Sequence, residues 1–180
     1  FRDLPQVADL IEICFSSTMD SDGKRYVQDM RRAGRDNSFI QWANRAAETT
    51  SLPLTGYVWE ENGKIVGNTS LVPFRHKKER IYLIANVAAH PEFRRRGIAR
   101  ALTEQAMKHA REKKADAIWL HVRDDNPGAI DLYTKLGFVE RARRTTYQAG
   151  TDANAAIPQS DFTITKRHPR DWPTQLNWLN

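Results

Sequence analysis

The sequence predicts a mixed α/β domain, and three observations predict it. Apolar residues recur at helical spacing near the start of the chain, an Asn-Gly pair joins two alternating segments within 56–74, and a segment at 80–89 is apolar on both faces and leads into a second helical pattern. At 180 residues, 40% of them hydrophobic, the chain is long enough for one domain with a real core and short for two. It begins at Phe1 and not at methionine, so residues upstream are expected to be missing, with a first strand lost or truncated. No internal repeat or low-complexity tract interrupts it.

The elements follow in order. In "DLPQVADLIEICF", Val7, Leu10, Ile11, Ile13 and Cys14 fall close to helical spacing behind Pro5, a residue suited to a first helical turn. A second, more polar helix covers "GKRYVQDMRRA", with Tyr26, Val27 and Met30 on one side and Lys24, Arg31 and Arg32 exposed. From Gly56 the period drops to two, and "GYVWEENGKIVGNTSLVPF" reads as strand, Asn62-Gly63 turn and returning strand. A third strand, "RIYLIANVAA", puts Ile81, Leu83, Ala85 and Val87 on one face and Tyr82, Ile84 and Ala88 on the other. Both faces are apolar, so this strand is expected to be central.

Next, "HPEFRRRGIARAL" crowds four arginines, Arg94, Arg95, Arg96 and Arg100, around a glycine. Helical periodicity starts at Ile98 and runs through Ala101, Leu102, Ala106 and Ala110, so "FRRRG" connects a buried strand to a helix N-terminus. The first turn of a helix offers unpaired N–H groups and the positive end of the macrodipole, which suit an anion and disfavour preceding arginines. Gly97 and Ala99 remove bulk where a diphosphate could approach the backbone. A solvated basic surface is the competing reading. Further on, "ADAIWLHV" alternates as another largely buried strand, with Ile118, Leu120 and Val122 opposite Trp119 and His121. Asn126 and Pro127 then stand in N-cap and first-turn positions. Ala129, Ile130, Tyr133 and Leu136 form the stripe of a short helix that Gly137 stops, so Tyr133 lies on its inner face and its hydroxyl needs a partner or a task.

Composition narrows the function classes. A formal charge of +6 favours acidic partners without separating nucleic acid from a phosphorylated cofactor or anionic lipid. The single cysteine, Cys14, excludes an internal disulfide, fits a reducing compartment and reads as a core residue. No stretch reaches the roughly 18 apolar residues of a membrane span, and no leader opens the chain, so no membrane partner is expected and the expected location is cytoplasmic. His76, His90, His109 and His168 lack a nearby second ligand, and no metal is expected. The tryptophans are scattered through separate elements and form no array with the basic residues, which argues against nucleic acid.

Two motifs resemble the GNAT superfamily of coenzyme A-dependent N-acetyltransferases. The loop Gln/Arg-x-x-Gly-x-Gly/Ala appears as Arg94, Arg95, Arg96, Gly97, Ile98 and Ala99, after the strand "IANVAAHPEF". The pattern Asn-x-x-Ala-x-x-Leu-Tyr-x-x-x-Gly-Phe is matched by Asn126, Ala129, Leu132, Tyr133, Gly137 and Phe138. The resemblance covers about residues 5–148. It implies a GNAT-type fold, a strongly bent mixed β-sheet flanked by helices, as a domain over 1–165. The activity it implies is transfer of an acetyl group from acetyl-CoA to a primary amine of a protein or small molecule.

The same resemblance implies site roles. Arg94, Arg95, Arg96, Gly97, Ile98, Ala99 and Arg100 would hold the coenzyme A diphosphate. Val87, Ala88 and Ala89 would bind the pantetheine arm by strand-like hydrogen bonds, one amide polarising the thioester carbonyl. Asn126 would contact the arm, besides capping its helix, and Tyr133 would be the general acid for the leaving thiolate. An alkylamine of pKa ~10 must lose a proton before it attacks. Several family members use a glutamate on the strand before the second motif as the base; here His121 takes that place, and a histidine titrating near ~6.5 can accept a proton. Asn86 cannot act as a base but could orient water or substrate, and Glu60 and Glu61 read as solvated. Cys14, far in sequence from both motifs, speaks for direct attack in a ternary complex over a covalent enzyme intermediate.

The C-terminal part departs from a minimal member of the family. "DFTITKR" reads as a last strand after a polar link, "GTDANAAIPQS", that could cover the acceptor site. Residues 166–180, with Trp172, Leu176, Trp178 and Leu179, read as a docking segment for the chain's own domain, a second subunit or a further domain. Two alternatives stay open: a basic nucleic-acid-binding module built on the arginine loop, and a non-catalytic domain that binds acyl-CoA as a sensor.

Overall fold

The structure is a computed structural model, which describes residues 3–46, 53, 55–145 and 147. The expected last strand, the polar link before it and the 166–180 tail lie outside the described residues. The chain divides into two compact units, Phe1–Val139 and Glu140–Asn180, and every helix and strand named below belongs to the first.

The apolar spacing after Pro5 gives α1, Leu4–Phe15, with Val7, Ala8, Leu10 and Ile11 buried. Asp20 caps α2, Ser21–Ala33, its carboxylate accepting from the Gly23 amide at 2.8 Å. Val27 and Met30 of α2 join the α1 residues in one apolar cluster. Arg31 is half-buried, not exposed as expected: its guanidinium donates to Asp9 at 2.8 Å and pairs with Glu12, tying α2 to α1. A helix not among the expected elements, α3, spans Asn37–Ala46 behind an Asp36 carboxylate that accepts from the Ser38 and Phe39 amides.

The hairpin forms where the Asn-Gly pair places it. β1, Thr55–Glu61, and β2, Lys64–His76, pair antiparallel around Asn62 and Gly63, whose φ angles of 52° and 76° fit a primed two-residue turn. β3, Glu79–Ala89, pairs antiparallel with β2, and β4, Ala117–Leu120, pairs parallel with β3, so the mixed sheet has the order β1-β2-β3-β4. α1 and α2 cover one face around Ile65 and Ala88, while α4, Ile98–Glu112, covers the other around Leu71, Tyr82 and Ile84 through Ala106 and Ala110. The close approach of α4 needs Gly67: a Cβ there would lie 2.5 Å from Ile98 Cγ2 and 3.0 Å from Leu102 Cδ1.

Two expectations about strands change. The alternation read along 80–89 breaks at Asn86, where β3 takes one residue more than β2 between the pairs Ser70↔Ala85 and Asn68↔Ala88. Val87 therefore packs on the α4 side with Tyr82 and Ile84, and Ala88 turns to the α1 side. The strand expected through Val122 ends at Leu120; Val122 and Trp119 are exposed, so β4 is only half-covered.

Candidate functional site

The site begins where β3 and β4 part. Their pairing runs from Ile81↔Ala117 to Ile84↔Leu120 and stops, although β3 continues to Ala89. On its other edge β3 stays laddered, with Ala88 opposite Asn68, Ala89 opposite Gly67 and the His90 amide donating to the Val66 carbonyl at 2.8 Å. Among the described residues, the β4-facing edge of residues 85–89, which includes Val87, Ala88 and Ala89, has no strand partner. Backbone donors and acceptors on such an edge take an extended partner as a strand would.

That edge leads through a 3₁₀ turn, Pro91–Phe93, to α4. Gly97 is the N-cap of α4 at φ 81°, its side lies open, and no side chain caps the helix. Ile98 is anchored in the core, 2% exposed, and Ala99 offers its carbonyl to the Thr103 hydroxyl at 2.7 Å. The first turn of α4 thus has a buried anchor and no side-chain cap on its amides, an arrangement suited to phosphate oxygens.

The arginines are not all left to an incoming anion. Arg94 Nε donates to the Ala89 carbonyl at 3.4 Å; Arg96 lies 4.8 Å over the Phe93 ring and 3.7 Å from Glu61; Arg100 pairs with Glu104 at 2.9 Å. Glu61, expected to be solvated, is half-buried in this pair and also accepts from Trp59 Nε1 at 3.2 Å. Arg95, with φ 63° and exposed, has no side-chain partner among the described residues. The fold therefore offsets part of the repulsion read from the sequence and leaves the Arg95 side chain exposed.

Asn126 caps α5, Pro127–Lys135, its Oδ1 accepting from the Ala129 amide at 3.2 Å. Of the expected stripe, Tyr133 is buried and Ala129 and Leu136 are half-buried, but Ile130 is exposed. Tyr133 packs edge-on to Phe138 at 5.9 Å, its hydroxyl has no hydrogen-bond partner among the described residues, and burial pushes it above the ordinary phenol range. His121 stands one residue past the end of β4 and is exposed, off the strand on which the sequence put it.

Two features escaped the sequence. Cys14, expected in the core, is half-buried with its thiol 3.3 Å from the Ala89 carbonyl, at the end of the unpaired β3 edge. Burial pushes its pKa up, against a smaller opposing pull from Arg94 and Ala89. A cavity of about 240 Å³ also lies beside the bulge, lined by Ile11, Phe15, Met19, Asp20, Tyr26 and Asn86 among others. Helices distant in sequence from both motifs build most of it. Among the described residues no group of three His, Cys, Asp or Glu is placed to hold a metal ion, and no helix is long and apolar enough to cross a membrane.

Comparison with known proteins places this geometry. A 67-residue segment is 39% identical to the [Ribosomal protein bS18]-alanine N-acetyltransferase of Escherichia coli K12, matching 37% of this chain and 45% of that protein. The chain thus covers less than half the length of that relative. A 110-residue segment is 34% identical to the N-alpha-acetyltransferase of Sulfurisphaera tokodaii, matching 54% of this chain and 64% of that protein. A putative acetyltransferase from Agrobacterium tumefaciens shares the fold at 20% identity, with a TM-score of 0.59 over 82% of this chain and 94% of the other. The family model named Acetyltransferase (GNAT) family matches residues 7–138, from α1 through the parting strands and the uncapped α4 to Phe138 after α5, and the chain belongs to that family.

Proposed function

We propose that this chain transfers an acetyl group from acetyl-CoA to a primary amine by direct attack in a ternary complex. The observation that supports this best is the open edge of residues 85–89 running into the uncapped N-terminus of α4. An elongated carrier with a diphosphate at one end matches both parts, the arm along the strand and the phosphates at Arg95, Gly97, Ile98, Ala99 and Arg100. Arg94 and Arg96 add positive charge beside it while holding Ala89 and Phe93. Acetyl-CoA supplies a thioester whose carbonyl carbon accepts the amine nitrogen and whose C–S bond then breaks. An amide of residues 87–89 donates to the carbonyl oxygen as charge develops there. The Tyr133 hydroxyl, kept protonated by burial, gives its proton to the departing sulfur. His121 takes the proton from the amine, directly or through water; its exposure beyond β4 leaves it accessible to both. Asn126 contacts the arm while its Oδ1 holds α5.

Cys14 is close to this site in space, so sequence distance is no reason to exclude it as a nucleophile. Its raised pKa is: the thiol stays protonated at neutral pH, which favours direct transfer. The amine enters through the cavity bounded by α1, α2 and Asn86, the residue that precedes 87–89 in β3. The two relatives are a ribosomal protein bS18-alanine N-acetyltransferase and an N-alpha-acetyltransferase, which makes a protein N-terminus the first acceptor to test, ahead of a small-molecule amine. This reading takes 1–165 as the transferase domain, 166–180 as a docking segment for a second copy or a further domain, and the cytoplasm as its location.

Calorimetric titration with acetyl-CoA, then thiol release with three amines, tests it. The amines are an alanine-initiated peptide, an N-terminally blocked lysine peptide and a polyamine. Binding at a 1:1 ratio and thiol release that depends on one amine are expected. A folded chain that ignores acetyl-CoA and binds oligonucleotides in a salt-dependent way overturns the proposal; binding without release with any amine points to a sensor.

A further inference from the structure

The polar side chains around the bulge in β3 have no task in the roles assigned above. Asn86 sits there at φ 51°, left-handed backbone that non-glycine residues seldom adopt and asparagine tolerates better than most. Other elements hold it in place. Asn68 Nδ2 donates to the Asn86 carbonyl at 3.0 Å, while Asn86 Nδ2 donates to the Tyr26 hydroxyl at 3.0 Å and to Ser70 Oγ at 3.4 Å. Asn68 and Ser70 are each 4% exposed in the middle of β2, where a polar side chain without a bond is costly. Both direct their polar groups at this one residue. The bulge is also where the alternation of β3 changes face, and one residue further on begins the segment 87–89 with its open edge. The dihedral angles of Asn86 thus bear on the direction of the amides of residues 87–89, which follow it directly.

We infer that Asn86 is a positioning residue for acyl transfer, held by Asn68, Ser70 and Tyr26, and that Tyr26 links the acceptor cavity to the cofactor strand. This rests on the acetyltransferase reading above. Tyr26 belongs to α2 and Asn86 to β3, and both line the cavity of about 240 Å³. An amine seated there meets the hydroxyl that fixes the bulge. Strand direction and acceptor seat therefore share one hydrogen bond. Misplacing reacting groups by about 1 Å can cost on the order of a hundredfold in rate, so loosening this hold acts on turnover more than on cofactor affinity, to which the diphosphate site at α4 contributes separately from the strand.

Two variants test it. Asn86→Gly keeps the left-handed backbone accessible and removes the anchoring side chain; Tyr26→Phe removes one hydroxyl and leaves the ring packed. Each is expected to lower kcat about tenfold or more, with the calorimetric Kd for acetyl-CoA within about threefold of wild type. Because both cut the same link, the double variant is expected to be no slower than the slower single variant. Variants that lose thermal stability but keep wild-type kcat per folded molecule overturn the positioning role, as do losses that multiply in the double variant. If the wild-type chain neither binds nor turns over acetyl-CoA, both readings fall; if it does both and the variants match it, only this one does.

Discussion

At Tyr133 the chemistry asked of the residue and the packing that surrounds it agree. The ring is 8% exposed and edge-on to Phe138, and burial raises the hydroxyl pKa because the phenolate would lose its water. A general acid must hold its proton until the leaving group needs it, so the raised value keeps Tyr133 competent through neutral pH and into the alkaline range. Tyr133→Phe removes only the oxygen. It is expected to lower kcat by about 10²-fold, within the range for a lost general acid, and to leave the Kd for acetyl-CoA unchanged; a rate within twofold of wild type removes the role. The position of this tyrosine was legible because Asn126 and Pro127 fix where α5 starts and helical spacing then carries Tyr133 inward. His121 shows the converse. Alternation from Ile118 extended the strand through it, but nothing in an alternating pattern marks where a partner strand turns away, and β4 ends at Leu120.

Among the elements, α4 is positioned by what lies beneath it. Gly67 of β2 lets Ile98 and Leu102 come down onto the sheet, and Ile98 is the residue after the Gly97 N-cap, at the helix end proposed to take phosphate. A Cβ at Gly67 would stand 3.0 Å from Trp59 Cβ of β1 as well, so an added methyl is confined by β1 on one side and by Ile98 and Leu102 of α4 on the other. Gly67→Ala is expected to cost about 1–3 kcal/mol in urea unfolding, the usual range for overpacking, and to weaken acetyl-CoA binding because the first turn of α4 shifts with Ile98. Unchanged unfolding and binding would show that the helix accommodates the methyl. The hairpin, the central strand and α4 were readable because their signals are local: an Asn-Gly turn, two apolar faces, a glycine before a helical stripe. The bulge was not, since the extra residue at Asn86 leaves the apolar pattern almost unchanged and shows only in the register against β2. The cavity was hidden for a related reason: α1, α2 and Asn86 meet there from positions far apart in the chain. α3 was legible in principle, with Phe39, Ile40, Ala43 and Ala46 at helical spacing behind the Asp36 cap, although the early helices expected from the sequence end with α2.

Across the first unit, two tyrosines on different helices are assigned to the proposed chemistry: Tyr26, half-buried on α2, and Tyr133, buried on α5. Both are pushed above the ordinary phenol value chiefly by burial, with the Asn86 hydrogen bond pulling Tyr26 back in part. The consequence for stability has a definite sign. A group whose folded pKa exceeds its unfolded value, about 10 for tyrosine, binds its proton longer in the folded chain, so the unfolded state is favoured as pH rises from the unfolded value through the folded one. The stabilisation is complete below pH ~10 and is lost above it. Urea midpoints are therefore expected to stay level with respect to these two groups through neutral pH and to fall above pH ~10. Lysines titrate in the same window, so the informative quantity is the difference between wild type and the Tyr26→Phe, Tyr133→Phe double variant. That variant is expected to lose less of its midpoint between pH 9.5 and 11 (roughly the span around the phenol value). Equal slopes for the two proteins would mean that the hydroxyls are as well solvated folded as unfolded, and would remove the burial argument that keeps Tyr133 protonated for its role.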